Sequence, residues 1–256
     1  MGDLFGDPDL DSFQPNLIMG HKYDELSGNF SDATENGYTG VVYTAAPGPT
    51  YGYTPAMDGV AVDTQNTLMV NCGTMPTFPT IEFTWAGWII NHPYNPPKKW
   101  PQFFNYLWGC GFPNQFFIQF ATTFVYWDTY GWYGMNINVS GIDDGNWHLV
   151  ILQRDLSGYL HLWTDNVFRG SSYGVNTTSL SGNTWRYMSG RNDNNVQYDM
   201  WNGTFDENWL WNTQLDTDAR TALWNSGSGI FLKIFHESHV YPERDMRVYR
   251  PSEVHA

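Results

Sequence analysis

The chain has 256 residues, of which 26 are acidic and 12 basic, so its formal net charge is −14. That balance argues against nucleic acid or an anionic membrane as partner, because both need basic patches, and no 18-residue apolar run offers a membrane span. Only 15% of residues are charged, while 13 Trp, 16 Tyr, 16 Phe, 25 Gly and 14 Pro suit one all-β domain of many short strands joined by turns, within the ~200–250 residues such sandwiches reach.

Residues 1–16 read as an extended N-terminal arm. Asp3, Asp7, Asp9 and Asp11 repel one another, and Pro8 and Pro15 break any helix. This acidic start lacks the apolar stretch of a secretory signal. The expected location is therefore extracellular by another route, or the surface of a virus particle freed by lysis. Residues 17–232 are the expected sandwich. His92 to Trp100 and Pro101 hold four prolines and form a stiff loop. Phe116 to Tyr133, dense in aromatics, predicts two strands about a turn near Asp128 and Thr129.

Asp143 to Arg169 carries the clearest pattern. Asp143 to Asn146 are turn residues. In the run that follows, Trp147, Leu149 and Ile151 alternate with His148, Val150 and Leu152. A strand apolar on both faces is covered on both sides. Asp155-Leu156-Ser157-Gly158 is a tight turn, with Gly158 free to take positive φ. Tyr159 to Thr164 returns, and Asp165-Asn166 turns again. Near the end of the domain Thr217 to Asn225 is the one helical stretch, with Asp216 as N-cap and Gly227 after its end. Residues 233–256 mix both charges, with Pro242 and Pro251 excluding one long helix, and read as a second arm. Arms of this kind stay ordered only when something holds them. Phe5, Phe13, Tyr241 and Val248 are the apolar residues that would dock on neighbouring subunits.

These motifs, in this order, resemble the laminin-G-like jelly roll of the concanavalin A-like lectin/glucanase superfamily. Gly145, Trp147, His148 and Val150 match its Gly-x-Trp-His-x-Val strand. Leu160, Leu162, Trp163, Thr164, Asp165 and Asn166 match its next hairpin, with Trp163 for the usual Tyr and Asn166 for the usual Gly. Asn tolerates the left-handed conformation, so that exchange is mild. Tyr23 to Asn29 with Gly37 to Gly40 resembles the opening strand and its loop, and Met57-Asp58-Gly59 stands where the family has Phe-Asp-Gly. Phe83 to Ile89, Ser189-Gly190-Arg191, Gly203 to Trp211 and Leu215 to Trp224 resemble, in turn, a central strand, the closing strands and the last helix. The resemblance implies an antiparallel jelly-roll β-sandwich with one short helix near its C-terminal end.

The superfamily's glucanases place Glu-x-Asp-x-x-Glu on one strand, and that string does not occur here. Adjacent Asp206 and Glu207 would face opposite sides of a strand, and Glu82 stands alone, so the expectation is a non-catalytic protein. There is no Gly-x-Ser-x-Gly elbow. His148 and His161 read as structural histidines on adjacent strands. His236 and His239 are three apart in the second arm, which is the wrong spacing for the two-histidine zinc helix. Some lectin-like sandwiches hold calcium at the sheet rim through Asp, Asn and carbonyl oxygens. Asp58 and Asp63 on one loop, with Asp193, Asn194 and Asn195 on another, are the candidate ligands for Ca²⁺, and no other cofactor is expected. Asp206 reads instead as a buried hydrogen-bond partner. Sugar binding wants an exposed ring beside Asn, Asp or Gln. Tyr94, Asn95 and Trp100 form one such set, and Trp127, Asp128 and Tyr130 another. Cys72 and Cys110 sit in apolar stretches and allow at most one disulfide, with two reduced core thiols the favoured of the two readings. The function these features point to is a virus or phage decoration, fibre or adhesion component with glycan recognition. The alternatives are an extracellular lectin-like module, calcium-dependent or not, and, behind it, a glycoside hydrolase.

Overall fold

The computed structural model describes residues 16–34, 36–44, 49–54, 61–63, 68–74, 82–92, 102–108, 116–121, 124–129, 133–138, 141–173, 184–188, 191–193, 196–198 and 202–229. Among them, two antiparallel sheets account for all but two strands. The first sheet contains β1 (Leu17–His21), β3 (Thr50–Tyr53), β4 (Ala61–Asp63), β6 (Phe83–Asn91), β11 (His148–Arg154), β12 (Tyr159–Thr164), β13 (Val167–Tyr173) and β17 (Gly203–Trp211). Its order is β13-β12-β11-β6-β17-β4-β3, with β1 alongside the C-terminal half of β17. The second contains β2 (Val41–Thr44), β5 (Leu68–Thr74), β7 (Gln102–Trp108), β8 (Phe116–Ala121), β9 (Phe124–Thr129), β10 (Tyr133–Asn138) and β14 (Thr184–Met188), in the order β10-β9-β8-β7-β14-β5-β2. A two-stranded ribbon, β15 (Arg191–Asp193) with β16 (Val196–Tyr198), completes the set. One helix, α1 (Thr217–Trp224), follows β17.

The alternation read from the sequence holds in the first sheet. Phe83, Trp85, Ile89, Val150, Leu152, Leu160, Leu162, Phe205 and Leu210 point to one side and form one core with Met19, Tyr23 and Phe30. Ala86, Trp88, Leu149, Ile151, Trp209 and Trp211 point to the other side. That outer face is sealed by Leu215, Ala219 and Leu223, with Trp224 stacked on Trp88 at 5.5 Å between ring centroids. This is why β6, β11 and β17 are buried along their whole length.

The turns are chemically ordinary. Gly158 takes φ 84°, and Asp165 and Asn166 take φ 54° and 59°, the left-handed pair that a tight hairpin requires. Asp216 caps α1 by accepting from Ala219 N at 2.8 Å, and Asn225 ends the helix at φ 43°.

One expectation is met with an addition, and another is corrected. β9 ends at Thr129 and pairs antiparallel with β10 from Tyr133↔Thr129, so the chain reverses just after Asp128 and Thr129 as expected. A further reversal that the sequence reading did not give, between Ala121 and Phe124, joins β8 to β9. The alternation expected at Asp206 and Glu207 is interrupted by a bulge. Asp206 pairs with Trp88 and Trp209 with Ala86, so Glu207 and Asn208 together stand against Gly87. Glu207 takes φ 48°, accepts from the Trp209 indole N–H at 2.9 Å, and lies 3.5 Å from the Lys22 ammonium. Gly87 leaves the space that the Asn208 carboxamide fills.

Candidate functional site

The outer face of the first sheet is apolar except at one end, where Thr84 on β6, Gln153 on β11 and His161 on β12 lie side by side in register. Thr84 and Gln153 are fully buried there. A buried hydroxyl and a buried carboxamide must be hydrogen-bonded, and here they bind the segment that leads into α1. The Thr84 hydroxyl donates to Thr213 O at 2.7 Å and accepts from Leu215 N at 3.1 Å and from Gln153 Nε2 at 3.0 Å. Gln153 Nε2 also donates to Leu215 O at 2.8 Å, and its Oε1 accepts from Arg220 Nη1 at 3.1 Å. Arg220 reaches back from α1, donating to Leu215 O at 2.6 Å and Thr217 Oγ1 at 3.1 Å, with its guanidinium carbon 4.3 Å from the Trp163 ring centroid. Each member of this network holds another in place, so residues 213–217 form a fixed wall above the sheet.

Between that wall and the strands lies an open groove of about 560 Å³. Trp163 and His161 line one side, Thr213, Gln214 and Thr217 the other, with Glu82 at its end. Asp155 accepts from Tyr159 N at 2.8 Å and pairs with His161 Nε2 at 3.1 Å. Tyr159 stacks on His161 at 6.4 Å, and Phe168 lies 5.4 Å from Trp163. Tyr159 and Phe168 are 43% and 53% exposed, so the groove continues into an open aromatic rim on β12 and β13. Burial, and then the nearby Asp155 charge, raise the Glu82 carboxyl above its ordinary range. Burial also lowers the Arg220 guanidinium, against the opposing effect of Asp216. Hydroxyls, amides and a carboxylate beside an indole suit a polyhydroxylated ligand, whose ring presents C–H faces and hydroxyl edges.

Tyr94, Asn95, Trp100 and Tyr130 are outside the described residues, while Trp127 and Asp128 belong to β9 of the second sheet. Of the calcium candidates, Asp58 and Asn194 are outside the described residues. Asp63 ends β4 and Asp193 ends β15, strands of different sheets rather than facing loops. Among the described residues no three His, Cys, Asp or Glu side chains come together as a metal site. Phe5, Phe13, Tyr241 and Val248, His236 and His239, and Cys110 lie outside the described residues; Cys72 belongs to β5. His148 and His161 do lie on adjacent strands, but their positions alternate to opposite faces. The groove residues Glu82, Gln153, Trp163 and Arg220 were not legible as a set. The usable signal was polar Thr84 and Gln153 at positions that alternation assigns to a covered face.

Comparison with solved structures places the fold. The chain is similar to the binding domain of Paraclostridial Mosquitocidal Protein 1 (TM-score 0.61, 11% identity, covering 84% of this chain and 53% of that one). It is also similar to the botulinum neurotoxin serotype D binding domain (TM-score 0.61, 9% identity, 86% and 53%). A third likeness is Domain 4 of AbnA, a GH43 extracellular arabinanase from Geobacillus stearothermophilus solved with arabinotriose (TM-score 0.56, 16% identity, 80% and 97%). The chain spans about half the length of the two toxin domains and nearly all of the arabinanase domain. At these identities the likeness establishes a shared antiparallel β-sandwich. No family model and no curated protein sequence matches the chain.

Proposed function

We propose that the chain is a non-catalytic, glycan-binding β-sandwich of the laminin-G-like kind, displayed on the surface of a virus or phage particle as a decoration, fibre or adhesion component. The observation that carries the glycan reading is the groove walled by residues 213–217, with Trp163 beside a row of hydroxyl and amide groups and Tyr159 and Phe168 open at its mouth. The neighbours support it. One was solved with arabinotriose, and a further one, botulinum neurotoxin type C, is described as depending for cell entry on two ganglioside molecules (TM-score 0.58, 12% identity, covering 85% of this chain and 52% of that one). Folds host many activities, so the groove and not the fold carries the reading. The particle context rests on the two terminal arms, residues 1–16 and 233–256, as docking segments through Phe5, Phe13, Tyr241 and Val248.

A glycan array probed with the full chain, with and without EDTA, tests recognition. Binding in at least one condition, reduced in Trp163→Ala, is the expected result, and silence in both removes the reading. An EDTA-sensitive signal would bring Ca²⁺ back into the account through Asp58 and Asn194. Mass spectrometry of purified particles tests the location: particles without the chain retire it and leave the extracellular lectin-like module. Release of reducing ends from a polysaccharide panel would convert binding into hydrolysis and overturn the non-catalytic reading.

A further inference from the structure

We infer that the groove and its aromatic rim take a sugar chain of at least three units laid lengthwise along β12, and not a single terminal sugar. This rests on the glycan reading above and deepens it to the length and course of the ligand.

Tyr159, His161 and Trp163 occupy alternate positions of β12 and stand together on its outer face, while Leu160, Leu162 and Thr164 between and beyond them are buried. The rings follow one another at 6.4 Å and 5.8 Å between centroids. From Tyr159 to Trp163 the strand runs about 13 Å at ~3.3 Å per residue, a strip too long for one or two sugar rings to cover. Phe168 extends its far end, exposed and 5.4 Å from Trp163. The rings are positioned by the protein itself. His161 is paired through Nε2 with Asp155, whose other oxygen accepts from Tyr159 N, and the Arg220 guanidinium lies over the Trp163 ring. Rings already held in place lose little freedom when a ligand settles on them. Polar groups flank the strip on both sides. β13 sets the exposed Ser171 opposite His161 in register, so the two share a face. Thr213, Gln214 and Thr217 stand along the other side. Each unit of a sugar chain offers a C–H face to a ring and hydroxyl edges to such neighbours, and here that pairing repeats along the strand. A protein is the competing occupant of exposed rings, but it would want a broad apolar centre. This strip is little more than one strand wide and is edged by hydroxyls and an amide.

The test is titration calorimetry of the full chain with the mono-, di-, tri- and tetrasaccharide of the best binder on the glycan array. Affinity should rise by ~10-fold or more from the monosaccharide to the trisaccharide, the scale of one or two added ring contacts. In Tyr159→Ala, a change at the exposed end of the strip, the rise should stop one unit earlier. Tyr159→Phe, which restores the ring, should restore that last step, a pattern that mere loss of fold cannot produce. Equal affinity at every length, lost in Trp163→Ala, would overturn the lengthwise course and spare the glycan reading. A rise with length that Tyr159→Ala leaves untouched would overturn the placement along β12. Silence across the whole array would overturn both readings and leave the rings to a protein partner.

Discussion

The imidazole of His148 is held between two carboxylates, with Nδ1 2.8 Å from Asp165 Oδ2 and Nε2 3.0 Å from Asp144 Oδ1. A neutral imidazole has one N–H, so both bonds are made in full only by the imidazolium. Asp165 is itself in the left-handed region and accepts from Leu149 N at 3.1 Å through its other oxygen. The clasp thereby joins the loop before β11 to the β12–β13 turn.

The first prediction concerns pH. Burial opposes the charge on His148, but the hydrogen bonds and charges of Asp165 and Asp144 outweigh it, and its pKa is raised above 6.5. A group whose folded pKa is raised contributes its stability in full below the unfolded pKa and loses it as pH rises through the folded value. Thermal melts from pH 6 upward should therefore show a Tm that falls through neutral and mildly alkaline pH in the wild type and much less in His148→Gln. At pH 6 that variant should lose about 1.5–3 kcal/mol, the scale of charged hydrogen bonds. A flat wild-type profile would contradict the clasp.

The acid limb has the opposite sign. Asp144 is lowered from 3.8 to about 2, first by its bonds to the Asn146 and His148 side chains. Its contribution is present above 3.8 and is lost as pH falls towards about 2. Because the Asp144 side chain is 44% exposed, solvent screening keeps the effect small, well under 1 kcal/mol. Asp144→Asn should flatten the acid limb of the melting profile and leave the alkaline limb sloped through Asp165.

Thr84→Val tests the wall of the groove. The exchange keeps shape but removes an oxygen that donates to Thr213 O and accepts from Leu215 N and Gln153 Nε2. It strands buried polar groups at about 1–3 kcal/mol each, some of which relaxation will relieve. Denaturant unfolding should show a loss of roughly 2–3 kcal/mol. Hydrogen exchange at Leu215 N should accelerate before that of the central strands.

Leu223→Ala tests the covering helix. Leu223 is buried against the outer face among Trp88, Trp209 and Trp211. A cavity there should cost about 2–5 kcal/mol. Unchanged stability would mean that α1 is not part of the folded unit. Gly20→Ala should be comparably damaging for the reverse reason, since a methyl group at that position meets the Trp209 ring.

The hairpin of β11 and β12 was legible because its strands are short, apolar on alternate positions and bounded by turn residues, so local pattern and final structure agree. The helix was legible from Asp216 and from the small and polar residues after Trp224. The bulge at Glu207 was not, because a strand with an extra residue has the same composition as one without it. The reversal after Thr129 was legible from Asp128, whereas the one between Ala121 and Phe124 was not, because no Gly, Pro, Asn or Asp marks it. The groove escaped for a different reason. Its residues come from segments around positions 82, 153, 161 and 213–220, each of an unremarkable type, and only the pairing of β6 with β11 and of β11 with β12 makes them neighbours.

Thr84 anchors a consequence beyond stability. Floor and wall of the groove share one oxygen atom, so neither can shift without breaking the other's bonds. Any molecule entering the groove would therefore meet a width set by those bonds. New specificity would arise by changing which side chains the wall presents at Thr213, Gln214 and Thr217, with the spacing left alone.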